Sequence, residues 1–133
     1  MKKTILLADD SPIVGQSLYR LLATEANCEL CAQAADGREA ISLAQQCKPD
    51  LVILDLSMPK MHGLEAAREL KKIMPTVPII LLTLHASSVN ESFAENLCVD
   101  LVVPKGDFKH LMESVRALLF ADAGSTTEDS ATI

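Results

Sequence analysis

Short, largely apolar runs alternate along this chain with stretches whose apolar residues recur at helical spacing. The runs are Thr4–Ala8, Cys28–Ala34, Leu51–Leu54, Val77–Leu82 and Val99–Val103, and each reads as a strand. After the first, Ser11-Pro12 offers an N-cap and a proline at N1. Val14, Leu18, Leu21 and Leu22 then follow at i, i+4, i+7 and i+8, on one helical face. Asp36-Gly37-Arg38-Glu39 has the form of a capping box with Asp in place of Ser or Thr. It opens a helix carrying Ala40, Leu43, Ala44 and Cys47, which Pro49 ends. A third helix is expected from about Gly63, a residue that relieves crowding at its start, to Ile73, closed by Pro75. A fourth is expected over Ala86–Asn96, with Val89, Phe93 and Leu97 on one side. Asp107 caps the last, with Leu111, Val115, Leu118 and Leu119 aligned. From Asp122 the chain turns polar and loses its period, so residues 1–121 read as one domain and 122–133 as a tail or linker.

Five strands alternating with five helices imply parallel βαβ units in an α/β, doubly wound sheet covered on both faces. Burial on both faces also explains why the strands show no polar alternation. In such sheets ligands sit beyond the carboxyl ends of the strands, where strand order reverses. The residues at those ends here are Asp9-Asp10, Asp55, Thr83 and Lys105. Carboxylates gathered there repel one another by roughly 4 kcal/mol per pair at ~4 Å and an effective dielectric near 20. A hard divalent ion with oxygen ligands offsets this, and Mg²⁺ suits a few carboxylates plus phosphate oxygens. Lys105 and the Thr83 hydroxyl would complete a cage around a transferring phosphoryl group, with one carboxylate as nucleophile.

Composition narrows the classes. With 49% hydrophobic but only 3% aromatic residues, the core must be mostly Leu, Ile, Val and Ala. A net charge of −6 argues against nucleic acid or an anionic membrane as direct partner. Ile5–Ala8 is too short for the apolar region of a signal peptide, and no run approaches the ~20 residues of a membrane helix, so a soluble, cytoplasmic protein is expected. Cys28 and Cys31 match CxxC, without a second CxxC or a histidine at ligand spacing. On a strand, residues three apart face opposite ways, so reduced, structural cysteines are expected.

Asp9-Asp10, the segment Asp55-Leu56-Ser57-Met58-Pro59-Lys60-Met61-His62-Gly63, Thr83 and Lys105 resemble the receiver domain of two-component response regulators, over about residues 3–120. The resemblance implies a flavodoxin-like sheet of order 2-1-3-4-5. It implies that Asp55 accepts a phosphoryl group from a sensor histidine kinase or phosphotransfer protein. It also implies that Asp9, Asp10, Asp55 and the Ser57 backbone carbonyl hold Mg²⁺, Asp9 through water. Thr83 and Lys105 would bind the phosphoryl oxygens and signal to the face made by the Ala86–Asn96 helix, the fifth strand and the last helix. That face would meet a downstream protein or output domain, or a second copy in a phosphorylated homodimer. Catalysis would be confined to the domain's own phosphorylation and dephosphorylation, with Ser57 and His85 tuning the lifetime. Two positions depart from the family pattern. Val102 stands where many receivers carry an aromatic switch residue, and Gly106 stands where proline usually follows the lysine. The alternative is a receiver-like interaction module that works without phosphate.

Overall fold

Alternate residues of each apolar run go to opposite sides of a single sheet. Ile5, Leu7, Leu51, Ile53, Ile80 and Leu82 pack on one side with Leu18, Leu22, Leu111 and Val115. Leu6, Ala8, Val52, Leu54, Ile79 and Leu81 pack on the other with Ala40, Ala44, Ala66, Ala67 and Leu70. Along Ile5–Ala8, Leu51–Leu54 and Ile79–Leu82 both sides are dry, so a polar residue there would lose hydration on folding. Polar groups follow where these runs stop, whereas the edge run Cys28–Ala34 carries exposed Glu29 and Gln33.

The computed structural model describes residues 2–25, 27–56, 58, 63–84 and 98–125. Their elements, in chain order, are β1 (Lys3–Ala8), α1 (Pro12–Ala23), β2 (Cys28–Ala34), α2 (Gly37–Cys47), β3 (Leu51–Asp55), α3 (Gly63–Ile73), β4 (Ile79–Thr83), β5 (Leu101–Pro104) and α4 (Phe108–Ser125). The five strands form one parallel sheet of order β2-β1-β3-β4-β5. Both the fold class and the strand order match the sequence-based expectation. Four helices lie among the described residues, against five expected, because the helix expected over Ala86–Asn96 falls outside them.

Local chemistry starts and stops these elements much as anticipated. Ser11 caps α1, its hydroxyl accepting from the Val14 N–H, with Pro12 in the first turn. At α2, Asp36 Oδ1 accepts from the Glu39 N–H at 2.9 Å. Glu39 returns its carboxylate to the Ala35 N–H at 2.7 Å, one residue before the cap, instead of to the cap itself. Lys48 closes α2 in the left-handed region, ahead of Pro49. Asp107 caps α4 through the His110 N–H at 3.0 Å.

Several boundaries differ from the hydrophobic pattern. β4 begins at Ile79, not Val77, because Val77 N–H turns back to Met74 and Pro78 has no N–H to give to a ladder. β5 begins at Leu101, not Val99. Asp100 ahead of it folds its carboxylate onto the Ile79 N–H at 2.8 Å, and onto Lys71 Nζ at 3.0 Å. α4 continues to Ser125, past the loss of periodicity at Asp122, with a non-helical Phe120 inside it. In β2 the register steps from Ile5↔Leu30 to Leu6↔Ala32, so Cys31 is left over as a bulge in that edge strand.

Candidate functional site

β1 and β3 are neighbours in the sheet, and the chain leaves them on opposite sides, toward α1 and α3. Their carboxyl ends therefore open into one cleft. Asp9 leaves β1 with its N–H bonded to the Ala34 carbonyl at 2.9 Å, and its Oδ1 accepts from the Ser11 N–H at 2.7 Å. This second bond orients the carboxylate and was not read from the sequence, where Ser11 appeared only as a helix cap. Asp55 ends β3. The backbone after it is fixed by Leu56 N–H to Leu82 O at 2.9 Å and Gly63 N–H to Leu56 O at 3.1 Å. The absent side chain of Gly63 is what allows this approach: a Cβ there would overlap the Asp55 carbonyl oxygen and crowd Leu56 Cα. Glycine was read as relieving crowding at this helix start, and the crowding comes from the backbone of the site strand itself.

Asp9, Asp10 and Asp55 bring carboxylate oxygens within 4.8 Å of one another. Asp9 and Asp55 are buried, and Asp10 is exposed. Lys105 reaches across from the end of β5, its Nζ 3.1 Å from Asp55 Oδ2 and 3.4 Å from Asp9 Oδ2. Its backbone is held by an N–H bond to the Thr83 carbonyl at 2.8 Å. A turn follows, in which Asp107 N–H returns to the Pro104 carbonyl at 3.1 Å and Gly106 adopts φ +98°. The glycine that departs from the family pattern thus sits in a turn that uses a positive φ, which proline could not supply. Thr83 ends β4 and is buried.

The electrostatics of the cluster are unbalanced. Ionised, three carboxylates and one ammonium leave a net charge of −2 (−3 + 1). Burial is the main influence on Asp9 and pushes its carboxyl above the usual range. The Ser11 N–H pulls it down, the charge of Asp55 adds to the rise, and Lys105 opposes it. For Lys105, burial is again the largest single influence and works against the charge. The hydrogen bond to Asp55 and the charges of both aspartates together outweigh it, and the ammonium is held above its ordinary range. Asp9 Oδ2 is buried and accepts no hydrogen bond among the described residues, its nearest cation being Lys105. A buried, ionisable oxygen with spare lone pairs, beside two further carboxylates, is the donor set a hard divalent cation takes. The residues present fit such an ion.

The structure thus brings together Asp9, Asp10, Asp55 and Lys105, with Thr83 at the adjoining strand end. Ser57 and His85 lie outside the described residues. Val102 pairs with Leu81 in the β4–β5 register and is half-buried against the side of the sheet that α2 and α3 cover. Cys28 and Cys31 pack on opposite sides of the sheet, as the strand reading required.

Comparison with known proteins points the same way. The sequence model of the response regulator receiver domain matches residues 5–116. Response regulator protein VraR of Staphylococcus aureus is 32% identical over 119 residues, which is 90% of this chain and 53% of that protein. A protein-glutamate methylesterase/protein-glutamine glutaminase of Pyrococcus horikoshii is 40% identical over 82 residues, 62% of this chain and 22% of the relative. The chain thus spans about half the length of one of these relatives and less of the other. Among solved structures, response regulator protein TrrA of Thermotoga maritima, in complex with Mg²⁺-BeF, superposes with a TM-score of 0.77 at 36% identity. The match covers 88% of this chain and 99% of that one.

Proposed function

We propose that this chain, which belongs to the response regulator receiver domain family, is a phosphorylation-driven switch that takes a phosphoryl group onto Asp55. The observation that carries the reading is the convergence of three carboxylates within 4.8 Å with one lysine bridging two of them. An interaction module working without phosphate has no need to hold two buried carboxylates against each other.

In this reading Asp9, Asp10, Asp55 and the Ser57 backbone carbonyl hold Mg²⁺. Bound there, the ion supplies the positive charge that lets an anionic phosphoryl group approach an acidic cleft. The remaining steps belong to the chain. An Asp55 carboxylate oxygen attacks the phosphorus. The new O–P bond forms as the P–N bond to a donor phosphohistidine breaks, and the imidazole keeps the bonding pair. Lys105 already stands 3.1 Å from an Asp55 oxygen, so its ammonium meets the incoming phosphoryl oxygens without having to be recruited. Thr83, at the end of β4, offers its hydroxyl to the same group and couples it to the loop that follows. Ser57 and His85 flank the path of the hydrolysing water and set the lifetime. With valine at 102, the switch runs through Thr83 and the segment after it instead of through an aromatic side chain. The donor is a sensor histidine kinase or phosphotransfer protein in the cytoplasm. The recipient is an output domain or a separate protein.

Incubation with Mg²⁺ and a small acyl phosphate tests the reading. Mass spectrometry is expected to show one added phosphoryl group, lost in Asp55→Asn and in chelator. No modification under any condition would sink the switch and leave the phosphate-independent module.

A further inference from the structure

We propose that Cys31 and Cys47 form a reversible disulfide that fastens the end of α2 to the edge strand β2 under oxidising conditions. The two are 16 residues apart in the chain, yet their sulfurs lie 3.0 Å from each other. Cys31 is the bulge residue of β2, and Cys47 is the last residue of α2. Both are half-buried, reachable by a small oxidant but not freely mobile in water. Strand alternation brings them together: Cys31 follows Leu30 and so faces the side of the sheet that α2 covers, and the bulge adds Ala32 to that same side. Cys28 packs on the opposite side, so CxxC is not the reacting pair. The inference does not depend on the phosphorylation reading.

All four cysteines are thiols in this structure, and the Cys31 S–H points at Cys47 Sγ while Cys47 Sγ donates to the Leu43 carbonyl at 3.0 Å. To bond, the sulfurs must close by about 1 Å, to the ~2.05 Å of a disulfide. The oxidant is a peroxide. Cys47, as thiolate, attacks one peroxide oxygen; the O–O bond breaks, Cys47 becomes a sulfenic acid and one water leaves. Cys31 sulfur then attacks the sulfenic sulfur; the S–S bond forms, the S–O bond breaks, and the thiol proton departs with the second water. Two thiols and one peroxide thus give one disulfide and two waters. The order follows from the environment. Burial above all, then the hydrogen bond and charge of Cys47, push the Cys31 thiol up to about 12, so Cys31 resists ionising first.

The test uses the full chain, treated with hydrogen peroxide, alkylated under denaturing conditions and mapped by peptide mass spectrometry. The expected product is a Cys31–Cys47 cross-linked peptide that dithiothreitol reverses, retained in Cys28→Ser and Cys98→Ser and absent in Cys31→Ser and Cys47→Ser. Closing a loop of this size should raise the Tm of the oxidised wild-type protein by roughly 5–10 °C, and this rise should vanish in the Cys47→Ser variant. The wild-type map is decisive even if a variant folds poorly. Sulfinic acid at Cys47 without a cross-link, or a bridge to Cys28 or Cys98, would overturn the proposal.

Discussion

Replacing Asp9 by asparagine should stabilise the metal-free protein at neutral pH, although it removes an ion pair. The side chain of Asp9 is fully buried, and its charge meets three others. Asp55 repels it by at least roughly 3.5 kcal/mol, taking 4.8 Å and an effective dielectric near 20. Asp10 is exposed, so its repulsion is screened to about half of that. Lys105 at 3.4 Å attracts it by roughly 5 kcal/mol on the same scale. These contributions nearly cancel, which leaves the cost of burying a carboxylate uncompensated, in agreement with the upward direction of the Asp9 pKa. Asparagine keeps an oxygen for the Ser11 N–H and leaves Lys105 its partner in Asp55. A gain on the order of 1 kcal/mol follows, or roughly 3–5 °C in Tm. The sign with pH follows too. A carboxyl raised in the folded state stabilises it fully below its unfolded value, near 3.8, and that stability is lost as pH rises through the folded value. The advantage of Asp9→Asn should therefore open as pH climbs from about 4 toward neutrality. Thermal and urea unfolding in EDTA across that range measure it. Adding Mg²⁺ should then reverse the ranking, since a ligand present at 100 times its Kd stabilises by ~2.7 kcal/mol and the variant has lost the charged oxygen that holds the ion through water. A variant less stable than wild type in EDTA at pH 7 would refute the electrostatic reasoning. An equal response to Mg²⁺ in both proteins would refute the assignment of Asp9 to the ion.

Gly63→Ala places a methyl group against the backbone of Asp55 and Leu56, which cannot give way as a side chain would. We expect a loss of about 1–3 kcal/mol in urea unfolding and slower acyl-phosphate labelling of Asp55; neutral behaviour in both would contradict the contact. Gly106→Ala meets no steric obstacle, but its φ of +98° is strained for alanine. A loss of about 1–2 kcal/mol, with weakened labelling through a displaced Lys105, is expected, and an unchanged Tm would count against this turn. Val102→Ala should leave output intact in a reporter or partner-binding assay; lost output with normal phosphorylation would put the switch at that position.

Much of the site was legible because burial on both faces makes polar residues at strand ends conspicuous. Asp9, Asp10, Asp55, Thr83 and Lys105 stand out against apolar runs, and the alternation of elements brings their ends to one edge. What the sequence could not supply were distances across the sheet. That Lys105 bridges Asp9 and Asp55, instead of pointing into solvent, is one such distance. Strand starts were misjudged where local bonds override hydrophobicity, as at Pro78 and Asp100. The nearness of Cys31 and Cys47 was hidden because alternation gives only the side of the sheet that Cys31 faces, not where the end of α2 lands on it.

The same bulge bears on how the protein behaves at high concentration. An open sheet has two rims where a foreign strand can add, and long, flat, regular rims invite aggregation. One rim here is β2, whose hydrogen-bonding rhythm is broken at Cys31. The other is β5, only four residues long and ending in Pro104, which has no N–H to offer. Neither rim presents an even row of donors and acceptors, so chains can crowd together without templating one another.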